Sequence, residues 1–79
     1  MKYRILYFAS LRDVAGSDAE QVESARTSAR ALYADLRERH GFGLAAERLR
    51  VAINGELASW DHVLADGDEV AFLPPVSGG

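Results

Sequence analysis

Between Thr27 and His40 the chain carries Ala29, Leu32, Tyr33, Leu36 and finally His40 at the i, i+3, i+4, i+7 spacing of one amphipathic helix. No other stretch shows that period. A single helix cannot cover its own apolar stripe, so the rest of the chain must supply a surface for it, and a sheet is the economical one. Thr27 is the expected N-cap and Gly41 the residue past the C-terminus. Arg30 stands where a capping box would place Glu. The polar face holds Arg30, Asp35, Glu38 and Arg39, with Asp35 spaced four residues before Arg39 for a surface ion pair.

The flanking segments supply strands. Tyr3 to Ala9 is rich in aromatic and aliphatic residues, and both of its faces, Tyr3/Ile5/Tyr7 and Arg4/Leu6/Phe8, are mostly apolar. Such a strand is either buried on both sides or turns one side to a partner. Leu11 to Ser17 reads as a loop, and Ala19 to Ser24 as a polar edge strand paired with the first. Phe42 to Glu47 is a connector without a definite conformation. Leu49, Val51 and Ile53 alternate with Arg50, Ala52 and Asn54, and Asn54-Gly55 turns the chain into a short strand at Glu56-Leu57. After the Asp66-Gly67-Asp68 turn, Glu69 to Leu73 forms a last strand, which Pro74 and Pro75 end because they lack amide donors. The order strand, strand, helix, strand, strand, strand predicts an α+β domain: a β-grasp, with a mixed sheet of about five strands on one main helix, spanning residues 1–75 and followed by a flexible tail at 76–79.

Size and charge narrow the functions. A 79-residue chain buries only about 60% of its unfolded surface, which leaves little material for a deep catalytic pocket. A net charge of −3 is the wrong sign for neutralising phosphates, so nucleic acid is not an expected partner. Zero cysteines exclude a disulfide framework and a thiolate nucleophile or metal cage, and suit a reducing cytoplasm. The longest apolar run, Ile5 to Ala9, is far too short to span a membrane, and nothing argues for export.

Ordinary catalytic constellations are weak. His40 and His62 lack the spacing of a zinc pair, and no metal site is expected. Ser59, Asp61 and His62 are sequence neighbours without a nucleophile elbow. Asp66 and Asp68 fit turn chemistry better than a cation loop. Gly41-Phe42-Gly43 follows a helix, so it is not a phosphate loop.

What remains is Leu73-Pro74-Pro75-Val76-Ser77-Gly78-Gly79. Past the two prolines, four extended residues reach about 13 Å. Gly78 and Gly79 are thin enough to thread a narrow channel. An α-carboxylate with a pKa of about 3.3–3.7 is an unreactive anion at neutral pH, so a partner must activate it. Joining it to a nucleotide phosphate would create a leaving group, which a sulfur donor could then displace to give a thiocarboxylate, a sulfur store that needs no cysteine.

Leu6-Tyr7-Phe8-Ala9-Ser10-Leu11-Arg12, then Val51-Ala52-Ile53-Asn54-Gly55, then Leu64 through Gly79 with its D-G-D-E-V-A-F-x-P-P-V-S-G-G ending, resemble the MoaD group of sulfur carriers, the small subunits of molybdopterin synthase. The resemblance spans nearly the whole chain. It implies a ubiquitin-like fold that is not a catalyst alone. Gly79 would be adenylated by an ATP-using, E1-like enzyme of MoeB type and converted to a thiocarboxylate. Pro75, Val76, Ser77 and Gly78 would thread into a MoaE-type large subunit, where sulfur passes to cyclic pyranopterin monophosphate in a tetramer of two small and two large subunits. No permanently bound cofactor is implied. The resemblance also implies that the reaction pocket and its catalytic lysine belong to the large subunit; Lys2, the only lysine here, is not a substitute for it. Partner docking is expected at Phe8, Leu6 and Leu73 with Arg12 as a rim charge, the alternative being that Leu6 and Phe8 are core. Rival functions are a ubiquitin-like modifier conjugated through Gly79, a thiamine-pathway carrier, and an interaction module with an inert tail.

Overall fold

The computed structural model describes residues 1–75. Its elements are β1 (Lys2–Tyr7), α1 (Ala9–Ala15), β2 (Ala19–Glu23), α2 (Ala29–His40), a 3-10 turn (Ala46–Arg48), β3 (Arg50–Ile53), β4 (Glu56–Ala58) and β5 (Glu69–Leu73). The five strands make one mixed sheet in the order β2-β1-β5-β3-β4. β1 and β5 run parallel at its centre, with Ile5 opposite Val70 and Tyr7 opposite Phe72; the other pairings are antiparallel. This is the expected α+β β-grasp architecture.

Alternation decides what each strand buries. Tyr3, Ile5 and Tyr7 of β1, Val70 and Phe72 of β5, and Val51 and Ile53 of β3 turn to one side and are buried there with Ala29, Leu32, Tyr33 and Leu36 of α2. Three of these residues are tyrosines, and each hydroxyl finds an acceptor at the core's edge: Tyr3 donates to the Arg26 carbonyl at 2.5 Å, Tyr33 to the Leu44 carbonyl at 2.6 Å and Tyr7 to Glu20 at 2.6 Å. No buried side-chain polar atom among the described residues lacks a partner, as a small core requires.

Several boundaries differ from expectation for local reasons. The segment at Leu11 to Ser17 is not a loop: α1 occupies most of it, held by one buried side chain, Leu11, and closed by Gly16 at φ 79°. Its start also shortens the first strand, which stops at Tyr7. Phe8 becomes the N-cap of α1, and Ala9 takes a positive φ of 51°. In α2 the N-cap is Ser28, whose Oγ accepts the Ala31 amide at 3.2 Å, so the helix starts past Thr27 and Arg30 never meets a capping-box position. Gly41 closes α2 in the left-handed region as expected. The expected Asp35–Arg39 pair does not form. Asp35 takes the two-pronged Arg26 fork at 2.8 and 3.2 Å, and Arg39 reaches Glu20 at 3.2 Å.

Candidate functional site

β5 leads directly to the prolines, so whatever fixes β5 fixes the root of the tail. Phe72 has no solvent exposure, lies 5.1 Å from the Tyr33 ring, and stacks on Trp60 at 5.9 Å with an 11° interplanar angle. Anchored on both flanks by β1 and β3, the strand emerges from the middle of the sheet rather than an edge. Pro75 is exposed at the limit of the described residues; Val76, Ser77, Gly78 and Gly79 lie outside them.

The face of the sheet away from α2 has no element over it among the described residues. Register makes Leu6, Ala71, Ala52 and Leu57 neighbours across four strands, an apolar row perpendicular to the chain direction. Ala52 and Ala71 are shielded within it, while Leu57 at its edge is 63% exposed. On one side the row is bordered by Arg4 and Glu69, paired at 3.6 Å. On the other come Phe8, 44% exposed, then Leu73, with Arg50 opposite Leu73 on β3. Leu6, Phe8 and Arg12 line a shallow notch of about 260 Å³ together with Arg4 and Asp18. Leu6 and Phe8 are therefore off the core, and the structure brings Leu6, Phe8 and Leu73 to the tail-bearing end of one surface with Arg12 at its margin. Sequence reading missed Leu57. Its signal was available: Asn54-Gly55 sets a two-residue hairpin whose register places Leu57 opposite Ala52.

The weak catalytic candidates resolve into structure. Ser59 Oγ accepts the Asp61 amide at 3.1 Å and the Ser59 carbonyl accepts the His62 amide at 3.0 Å, while Asp61 pairs with Arg30 at 3.3 Å. The three residues form a turn. Asp66 accepts the Lys2 amide at 2.6 Å. Asp68 accepts the Ala65 amide and the Asn54 side-chain amide, and these bonds hold its carboxyl below the usual range. Turn chemistry accounts for both.

A polar cluster unseen in the sequence joins β2 to the end of α2. Glu20 accepts from Tyr7 and meets His40 Nε2, both at 2.6 Å, and takes Arg39 on its other oxygen. Burial pushes the Glu20 carboxyl up, but the hydrogen bonds from Tyr7 and His40 and the nearby positive charges outweigh it and lower its pKa. Burial and the Glu20 contact push the Tyr7 hydroxyl well above its ordinary value. The cluster is a clamp on the fold. Its one advance sign is that Glu20 shares the inward side of β2 with Val22.

A mixed sheet in this order, curled around one helix and ending in a strand that leaves from its centre, defines a ubiquitin-like β-grasp protein. The sequence matches the ThiS family over residues 5–79, and the chain belongs to that family. It is 42% identical over 79 residues to the molybdopterin synthase sulfur carrier subunit of Escherichia coli, covering 96% of this chain and 98% of that one. Among solved structures it is similar to SAMP1 of Haloferax volcanii, at 32% identity and a TM-score of 0.79 with both chains fully covered. It is also similar to a chain in the complex of subunits 1 and 2 of the molybdopterin-converting factor of Helicobacter pylori, at 25% identity and a TM-score of 0.70, again over the whole of both chains.

Proposed function

We propose that this chain is the sulfur-carrier subunit of a molybdopterin synthase, working in the cytoplasm through the carboxylate of Gly79. One observation carries the reading: β5, the strand that precedes the Gly78-Gly79 ending, is the buried centre of the sheet, beside an apolar row with no element over it among the described residues, in a chain that matches named sulfur carriers through nearly its whole length. Among the described residues Ser59, Asp61 and His62 form a turn and not a catalytic set, so the chemistry is assigned to partners. An E1-like enzyme of MoeB type would supply ATP. The Gly79 carboxylate attacks the α-phosphate and pyrophosphate departs; sulfur from a donor then displaces AMP, leaving a thiocarboxylate. Activation is needed because an α-carboxylate is a resonance-stabilised anion near neutral pH. The body then docks by Leu6, Phe8, Leu57 and Leu73 on a MoaE-type large subunit; that such a partner exists is supported by the likeness to a chain of the Helicobacter pylori complex of subunits 1 and 2. Threading of the tail from Pro75 onward brings the sulfur to cyclic pyranopterin monophosphate.

The test is intact mass after incubation with the cognate activating enzyme, ATP and a sulfur source. A gain equal to exchanging one oxygen for sulfur, absent when Gly79 is deleted, is the expected result. No gain, with isopeptide conjugates to other proteins instead, would establish the modifier reading that similarity to SAMP1 supports.

A further inference from the structure

Charge on the uncovered face is unevenly placed. At the border far from the tail, Arg4 and Glu69 neutralise each other at 3.6 Å. At the border from which the tail departs come Phe8, just past the end of β1, and the cross-strand pair Leu73–Arg50, whose one charge is a cation. Antiparallel register fixes that position: Arg50 opposes Leu73, two residues before Pro75. Arg50 is exposed, and among the described residues it forms no ion pair. Arg12 stands across the face beside Leu6 and Phe8, in a notch that Asp18 also lines, and it belongs to α1 rather than to the strand ladder that carries the tail. Arg50 is therefore an unpaired cation held by register directly opposite the strand residue that leads into the tail, on a molecule whose net charge is −3.

We propose that Arg50 recognises a carboxylate of the large synthase subunit at the rim of the channel the tail threads. The inference rests on the proposed docking of this face. An apolar row alone is nearly symmetric about its own axis and gives no direction. A cation on only the tail side does, because reversed docking would lay the Arg4–Glu69 border where the partner's carboxylate waits and leave Arg50 unmatched. On a body of net charge −3 the same cation also favours encounter with an anionic rim in this orientation.

Binding of the purified chain to its cognate large subunit, measured at low and high salt, tests this. Arg50→Glu is compared with Arg26→Glu, which changes net charge equally on the helix side, where Arg26 pairs with Asp35. Leu57→Asp tests the face itself, and circular dichroism confirms that each variant is folded. The expected result is a loss of about tenfold or more in affinity for Arg50→Glu at low salt, shrinking as salt rises, with Arg26→Glu within about twofold of wild type. Arg50→Gln should fall between. Equal behaviour of Arg50→Glu and Arg26→Glu, with Leu57→Asp still abolishing binding, would overturn the role of Arg50 and leave the docking reading standing. Unchanged binding by Leu57→Asp would overturn both. Self-association of the wild-type chain that Arg50→Glu disperses would assign the cation to a second copy instead.

Discussion

The two faces of the sheet are built from the same strands, often from adjacent residues, yet they do different work. Phe72 is sealed against Tyr33 and Trp60, while Leu73 next to it is only half-buried on the opposite side. Tyr7 is buried and Phe8 is 44% exposed. One face holds the fold together and the other is held ready by it. Side-chain alternation makes this division cheap, because a strand's inward residues can be optimised for packing without constraining the outward ones.

The largest effect expected from that division is at Phe72. Phe72→Ala should cost about 3–5 kcal/mol in denaturant unfolding, since it empties the space between two rings and loosens the strand that carries the tail. Next is the Glu20 clamp: Glu20→Ala should cost about 1–3 kcal/mol, because it strands the Tyr7 hydroxyl at the core's edge. The clamp also has a pH signature. The folded pKa of Glu20 lies below its unfolded value, so its contribution is present above the ordinary Glu pKa of about 4.3 and is lost as pH falls through the lower folded value. Glu20→Gln should flatten the stability profile in that acid window. Ser28→Ala, removing the α2 cap, should cost about 1 kcal/mol by thermal unfolding. The smallest change is at Leu57: Leu57→Ser should shift stability by no more than about 0.5 kcal/mol while weakening partner binding. A stability loss there comparable to that of Phe72→Ala would erase the distinction between the faces.

Much of the inward face was legible because periodicity is a property of packing. The stripe Ala29, Leu32, Tyr33, Leu36 and the alternation through Val51, Ile53, Val70 and Phe72 are all buried as the pattern required. Where a segment is held by a single contact, pattern fails. α1 hangs on Leu11 with Val14 52% exposed, so it shows no stripe to find. Polar partners were equally hidden. Asp35 chose Arg26 over Arg39, and Glu20 met His40, because long side chains pair by proximity in space that a spacing rule on one helix does not contain. On the outward face, the first strand's double apolarity pointed to Leu6 and Phe8, and the hairpin register added Leu57. Arg50 looked like any solvent-facing charge until β5 was placed beside it.

The parallel pairing of β1 with β5 joins residues more than sixty positions apart, Arg4 with Glu69 among them. Until β5 arrives, the sheet exists only as two hairpins, β1–β2 and β3–β4, with no ladder between them. During synthesis the ribosome must therefore release nearly the entire polypeptide before the domain can close. A product cut short before Glu69 would lack the central strand that joins the two hairpins. A molecule with a closed sheet has therefore already made the strand from which the tail departs.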